Sequence, residues 1–179
     1  VVGLQAAAHG HVGDPVTFTA TVTGGGSPVA SGTVQFSDGG SNLGAPIALI
    51  RLIQRHCPAA GFSAAELFTG RHAAQLADFS VISATDGNHG RALAAAAHDI
   101  GCRCVIVLHK NVSLEREQAI AAHGAHIVRI EGNYDASVEE AARLAGTNGW
   151  HVVSDTSYEG YEEIPRDVMQ GYGTIVAEI

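Results

Sequence analysis

Phe79-Ser80-Val81-Ile82-Ser83-Ala84, followed at once by Thr85-Asp86-Gly87-Asn88-His89-Gly90 and an alanine-rich run to Ile100, decides the fold of this chain. Six residues with hardly a polar break have strand length and suit a strand buried on both faces. The alanines that follow favour helix, because Ala loses no side-chain freedom there. The same order then repeats. Residues 102–108 read as a second buried strand, and Ser113 caps a helix over 114–123. Glu115 and Glu117 sit well in that helix's first turn, where the backbone dipole favours negative charge. Residues 126–130 read as a third strand, 136–147 as a third helix, 151–154 as a fourth strand, and 165–178 as the beginning of another helix. Short apolar strands alternating with helices call for a three-layer α/β domain, a parallel sheet of about four strands with right-handed crossovers.

Working upstream, Ile47, Ile50, Leu52 and Ile53 form a helical stripe that runs to His56, and Pro58 ends it. Ser63-Ala64-Ala65-Glu66 has the spacing of a capping box. Further back the period changes to two. Residues 16–23 and 33–37 alternate apolar and polar, with Gly24-Gly25-Gly26-Ser27-Pro28 and Asp38-Gly39-Gly40 as turns, and 43–48 could add a third short strand. The charge pattern changes at the same place. Residues 1–48 hold Asp14 and Asp38 and no Lys or Arg, whereas all ten basic residues lie from Arg51 onward. Two segments of different origin are expected, a short incomplete β segment over 1–46 and an α/β domain over 47–179.

Composition narrows the function. An apolar content of 46% with 16% charged residues argues against disorder, and a formal charge of −8 disfavours a nucleic-acid partner. No apolar run is long enough for a membrane span. Three cysteines make an odd count; Cys102 and Cys104, two apart in a strand, point to one face and read as reduced core residues, which suits a reducing compartment, the cytoplasm. The chain starts at Val1 without a leader and stops within a helix, so both ends read as cuts. The ten histidines show no metal-ligand spacing, and no metal is expected.

In an open parallel sheet, ligands bind beyond the carboxyl ends of the strands, where Asp86, Gly87, Asn88 and His89 fall. Two glycines let the backbone approach a flat ligand, and the helix start offers free N–H groups. Asp86 can serve as a base and Asn88 as donor or acceptor. An ordinary strand-to-helix turn, with Asp and Asn as caps, accounts for the spacing as well. A dinucleotide site is disfavoured, since G-x-G-x-x-G is absent.

The string Ala84-Thr85-Asp86-Gly87-Asn88-His89-Gly90-Arg91 resembles the asparagine loop of fold-type-II pyridoxal-phosphate enzymes, and most of all that of the diaminopropionate ammonia-lyases. Gly132-Asn133-Tyr134-Asp135, the block from Gly149 to Tyr161, and Ile164-Pro165 with Met169-Gln170-Gly171-Tyr172 resemble the same family in the same order. The resemblance implies pyridoxal phosphate as cofactor, with Asn88 beside its ring and Gly87 and His89 flanking. It implies Asp86 as the acid/base group for the D-isomer and Asp155 as a carboxylate near the substrate. The reaction implied is α,β-elimination of a small amino acid, diaminopropionate, to pyruvate and ammonia, in a homodimer.

One part of that machinery is missing. The family's lysine, which anchors the cofactor covalently, precedes the helix matching residues 48–56; here Gly39-Gly40-Ser41-Asn42-Leu43-Gly44-Ala45-Pro46 stands in its place. The chain's one lysine is Lys110, at a non-catalytic family position, and the family's glycine-rich phosphate loop falls beyond Ile179. The expectation is an inactive fragment of a lyase. Residues 12–22 and 30–44, with Gly13-Asp14-Pro15-Val16-Thr17-Phe18 and Ser31-Gly32-Thr33-Val34-Gln35-Phe36, resemble the front half of a bacterial Ig-like repeat, which belongs to exported proteins and needs about seven strands. The alternative function is therefore a surface adhesion module.

Overall fold

The computed structural model describes residues 2–6, 18–24, 27–28 and 44–177. Strands β1 (Val2–Ala6), β2 (Phe18–Gly24) and β3 (Ser27–Pro28) form an antiparallel sheet in the order β1-β2-β3. Val2 faces Val22, Ala6 faces Phe18, and Thr23 faces Pro28. β2 follows the alternation seen over 16–23, while the strand expected at 33–37 lies outside the described residues.

The short strand expected at 43–48 is corrected: helix α1 (Gly44–His56) occupies that stretch. Ala45, Ala48, Leu49, Leu52 and Ile53 recur at helical spacing and are all buried, so a strand would turn half of this stripe to water. Pro46 lies in the first turn, where its missing N–H leaves no hydrogen bond unmade. A side chain at Gly44 would put its Cβ 2.8 Å from the Tyr172 ring, so glycine lets this helix start against its neighbour. A 3₁₀ turn over Pro58–Ala60 follows, then α2 (Ala64–Leu67) and α3 (Ala73–Leu76). The capping box at Ser63 is formed: its hydroxyl accepts from the Glu66 amide at 3.3 Å, and its amide donates to the Glu66 carboxylate at 3.2 Å.

The remaining elements alternate, as the apolar pattern requires. They are β4 (Ser80–Ala84), α4 (Asn88–Ile100), β5 (Arg103–His109), α5 (Leu114–Ala121), β6 (His126–Ile130), α6 (Tyr134–Asn148), β7 (His151–Val152) and α7 (Glu163–Ala177). The sheet is parallel throughout and ordered β6-β5-β4-β7. Val81 and Ile82 send their side chains to opposite faces, into two separate cores. One core joins Leu49 and Ile53 of α1 to Leu93 of α4, Ile106 and Ile120; the other packs Ile82, Val105 and Val107 against Ala141, Ala145 and Trp150. Cys104 lies buried in the first core, and burial pushes its thiol far above the usual range and that of Cys102 to about 12. All three cysteines are free, and the two in this region behave as packing groups. No helix among the described residues is long and apolar enough to cross a membrane.

Two features of this topology bear on function. The chain builds β4, β5 and β6 outward on one side and then returns to lay β7 on the other side of β4. The strand order therefore reverses between β4 and β7, and the carboxyl ends of that pair flank the crevice where open α/β sheets bind ligands. The second feature is an aromatic stack at the opposite end of β7. His151 stacks on Phe79 with centroids 4.6 Å apart and meets the His56 ring at 4.2 Å. Burial, and then the neighbouring His56, holds the His151 imidazole below its ordinary 6.5. The unfolded chain takes up this proton first, so the stack's contribution is complete above about pH 6.5 and is lost as the pH falls below it. The expected result is a melting temperature that drops between about pH 7.5 and about pH 5.5, with a shallower drop in His151→Phe. An equal drop in both proteins would exclude His151 as a cause.

Candidate functional site

Thr85 continues the pairing of β4 by one residue, its amide donating to the Val107 carbonyl at 3.3 Å. Its hydroxyl then organises the turn, accepting from the amides of Gly87 at 3.2 Å and Gly90 at 3.3 Å. Gly87 has φ +153°, a conformation that side chains other than hydrogen rarely adopt, and a Cβ there would lie 3.3 Å from Arg116 Cδ. A Cβ on Gly90 would fall 2.3 Å from the Thr85 methyl. Gly87 is thus required by its backbone conformation and Gly90 by space, and together they let α4 begin at Asn88.

His89 reaches across the crevice. Its Nε2 lies 2.9 Å from the carbonyl of Val153, just past β7. A carbonyl only accepts, so Nε2 donates there, and Nδ1 is the ring's other nitrogen. That Nδ1 is buried, has no hydrogen-bond partner among the described residues, and lies 4.0 Å from Asp155 Oδ2. The loop carrying Asp155 is clamped by Tyr161, whose hydroxyl accepts from the Ser154 amide at 2.8 Å and donates to the Val152 carbonyl at 3.0 Å. Burial drives the Tyr161 phenol well above its usual range. Tyr134, at the start of α6, is raised by burial as well; a hydrogen bond with Thr156 pulls the other way, and Asp155 and Asp86 add to the rise. It is therefore a hydroxyl donor at neutral pH.

On the β5 side, Asp86 Oδ1 pairs with His109 Nε2 at 2.8 Å, and Arg116 donates to the Asp86 carbonyl at 3.2 Å. Between Thr85, Asp86, Arg116, Tyr134 and Thr156 lies an open cavity of about 560 Å³ at the carboxyl ends of the strands. All five residues singled out from sequence, Asp86, Gly87, Asn88, His89 and Asp155, border it. So do Arg116, Tyr134 and Thr156, to which the sequence reading assigned no role. Tyr134 and Thr156 lie inside blocks already noted as resembling the family, which was the available signal. Arg116 stands between Glu115 and Glu117 in the first turn of α5, and no local pattern marks it. Lys110 is exposed, holds out its carbonyl to Arg129 at 2.9 Å, and does not border the cavity.

Comparison with known proteins bears on the fold and the family. Residues 60–179 match the family model for pyridoxal-phosphate dependent enzymes. The diaminopropionate ammonia-lyase of Salmonella typhimurium is 42% identical over 122 residues, covering 68% of this chain and 30% of that protein. The crystal structure of Escherichia coli diaminopropionate ammonia lyase in apo form superposes with a TM-score of 0.69 at 34% identity, over 77% of this chain and 37% of that one. The same enzyme in complex with D-serine gives 0.66 at 35% identity, over 77% and 35%. The chain thus spans about a third of the length of the relatives it matches. The family match starts at residue 60, and these comparisons lend no support to the Ig-like resemblance of residues 1–46.

Proposed function

The chain belongs to the pyridoxal-phosphate-dependent enzyme family, and from that membership we propose that it is part of an ammonia-lyase acting on diaminopropionate, without turnover of its own. One observation carries the reading: Asp86, Gly87, Asn88, His89 and Asp155 border a single cavity where the strand order reverses. The family's cofactor is pyridoxal phosphate. The cavity fits one side of such a group. Gly87 leaves a side without a Cβ, and His89 Nδ1 is a buried ring nitrogen with no hydrogen-bond partner among the described residues. Gly87, Asn88 and His89 are the residues that would hold it. When bound, the cofactor supplies an electron sink for charge that develops at the substrate's α-carbon.

The protein's own part is position and proton transfer. Asp86 accepts the α-proton of one mirror form, and Asp155 offers a second carboxylate at the same cavity. Two carboxylates suit a substrate with two amino groups. Tyr134, held as the neutral phenol, can donate a hydrogen bond to the substrate. The covalent anchor is absent, because Lys110 is exposed and away from the cavity and residues 39–46 hold no lysine. Domain 47–179 is the lyase part, the intact enzyme works as a homodimer on a small amino acid, and three free cysteines favour the cytoplasm.

Purified chain mixed with pyridoxal phosphate and diaminopropionate is expected to release no pyruvate in a coupled assay. Borohydride reduction followed by mass spectrometry should find no cofactor on Lys110. Pyridoxal phosphate alone should still shift the amide resonances of Asn88 and His89. Pyruvate release would refute the inactivity, and unmoved resonances at Asn88 and His89 would refute the cofactor site.

A further inference from the structure

His109 stands at the end of β5 with only 13% of its side chain exposed, and its ring is held from both sides. The Asn111 amide donates to Nδ1 at 3.2 Å, so the ring proton sits on Nε2, which lies 2.8 Å from Asp86 Oδ1. The turn that carries Asn111 is pinned in its turn by Arg129. That guanidinium donates to the carbonyls of Lys110 at 2.9 Å and Val112 at 2.5 Å and pairs with Glu117. Asp86 is fixed at its backbone as well, through the bond from Arg116 to its carbonyl at 3.2 Å. Its second oxygen, Oδ2, makes no hydrogen bond with any described residue, and Asp86 borders the cavity. A carboxylate on an exposed turn would ordinarily rotate freely. Here one oxygen is tied down and the other is left for a ligand.

We propose that His109 is a positioning residue for Asp86: locked as the Nε2–H tautomer by the Asn111 amide, it aims the carboxylate into the cavity and sets the preference of the site between mirror forms of a small amino acid. The inference rests on the lyase reading, because it takes Asp86 as a group that meets the substrate. The link to handedness is geometric. Asp86, Asp155 and Tyr134 reach the cavity from three different places, after β4, after β7 and at the start of α6, and mirror-image ligands cannot present the same three groups to all of them at once. Releasing one carboxylate therefore changes the affinity for the two forms unequally. A residue that merely supports the fold would weaken both in step.

The test uses the full chain and two readouts. Nitrogen-15 imidazole spectra should show His109 as the Nε2–H tautomer with a slowly exchanging proton, lost in Asp86→Ala. Titration with D- and with L-diaminopropionate, followed at the amides of Asn88 and Asp155, should show their affinity ratio change by about fivefold in His109→Ala, the value of one hydrogen bond. His109→Gln, whose amide nitrogen can reach the same oxygen, should restore the ratio. A ratio unchanged in His109→Ala while both forms still bind would overturn the positioning role and leave the lyase reading standing. Absence of the Nε2 proton would overturn it as well. If neither form moves the cavity resonances of the unmodified chain, the substrate class falls and this role falls with it.

Discussion

Asp167→Ala is expected to lower the unfolding free energy by about 3 kcal/mol, one of the two largest losses foreseen for a single substitution here. The Asp167 carboxylate is only 7% exposed and lies 2.6 Å from Arg51 Nη1 and 2.8 Å from Arg55 Nη1. It is the buried charged link between α1 and α7, which pack along much of their length. Removing it leaves two guanidinium groups facing each other with only Glu163, 3.3 Å from Arg55, to offset them. Breaking a buried pair from one side costs about 3–5 kcal/mol, and Arg51 at 42% and Arg55 at 31% exposure place this case at the low end. The cost comes from stranded charge and not from the attraction as such. Replacing the set together, with Arg51→Met, Arg55→Met and Asp167→Leu, should therefore recover most of the loss. Urea unfolding with an unchanged slope measures both proteins. A loss below about 1 kcal/mol in Asp167→Ala would show the pairs to be no stronger than surface ones. Since α7 follows the loop that carries Asp155, faster amide exchange over 154–162 should accompany the loss.

That triad also shows where sequence reading stops. Arg51 and Asp167 are 116 residues apart, and nothing local to either marks the other as its partner. By contrast, β4, its glycine turn and α4 were legible because apolar run, turn chemistry and helix propensity all act over a few residues. The capping box at Ser63 and the cap at Ser113 were legible for the same reason. The site was half legible. Asp86, Gly87, Asn88 and His89 are contiguous, and Asp155 lay in a recognisable block, so they came together as one group. His109 and Arg116 complete the site from β5 and α5, at sequence distances of 23 and 30 from Asp86, and an isolated His or Arg there carries no local signature. The short strand read at 43–48 failed because Leu43 to Ala48 is too short to show its period. Only the continuation to Ile53 reveals the helical stripe, which buries against α4 and α7.

Gly90→Ala is expected to cost about 3 kcal/mol and to abolish the response of Asn88 and His89 to pyridoxal phosphate. A Cβ at this position would meet the Thr85 methyl at 2.3 Å, closer than carbon atoms approach, with Ile106 and Ile120 at 3.4 and 3.5 Å blocking the other side. Neither neighbour can retreat easily, since Ile106 and Ile120 are fully buried. Thr85 must move, and its hydroxyl then leaves the amides of Gly87 and Gly90. The turn that shapes the cavity loses its organising bonds in the same step that the core is overpacked, so stability and site fail together. The clash is with one methyl group, which makes the cause separable from any general intolerance of α4. Thr85→Ser keeps the hydroxyl and removes that methyl. In the Thr85→Ser background the cost of Gly90→Ala should fall to about 1 kcal/mol or less, and the resonance shifts should return. If Gly90→Ala costs as much with serine at 85 as with threonine, the close approach of Gly90 to Thr85 is not what the glycine is there for.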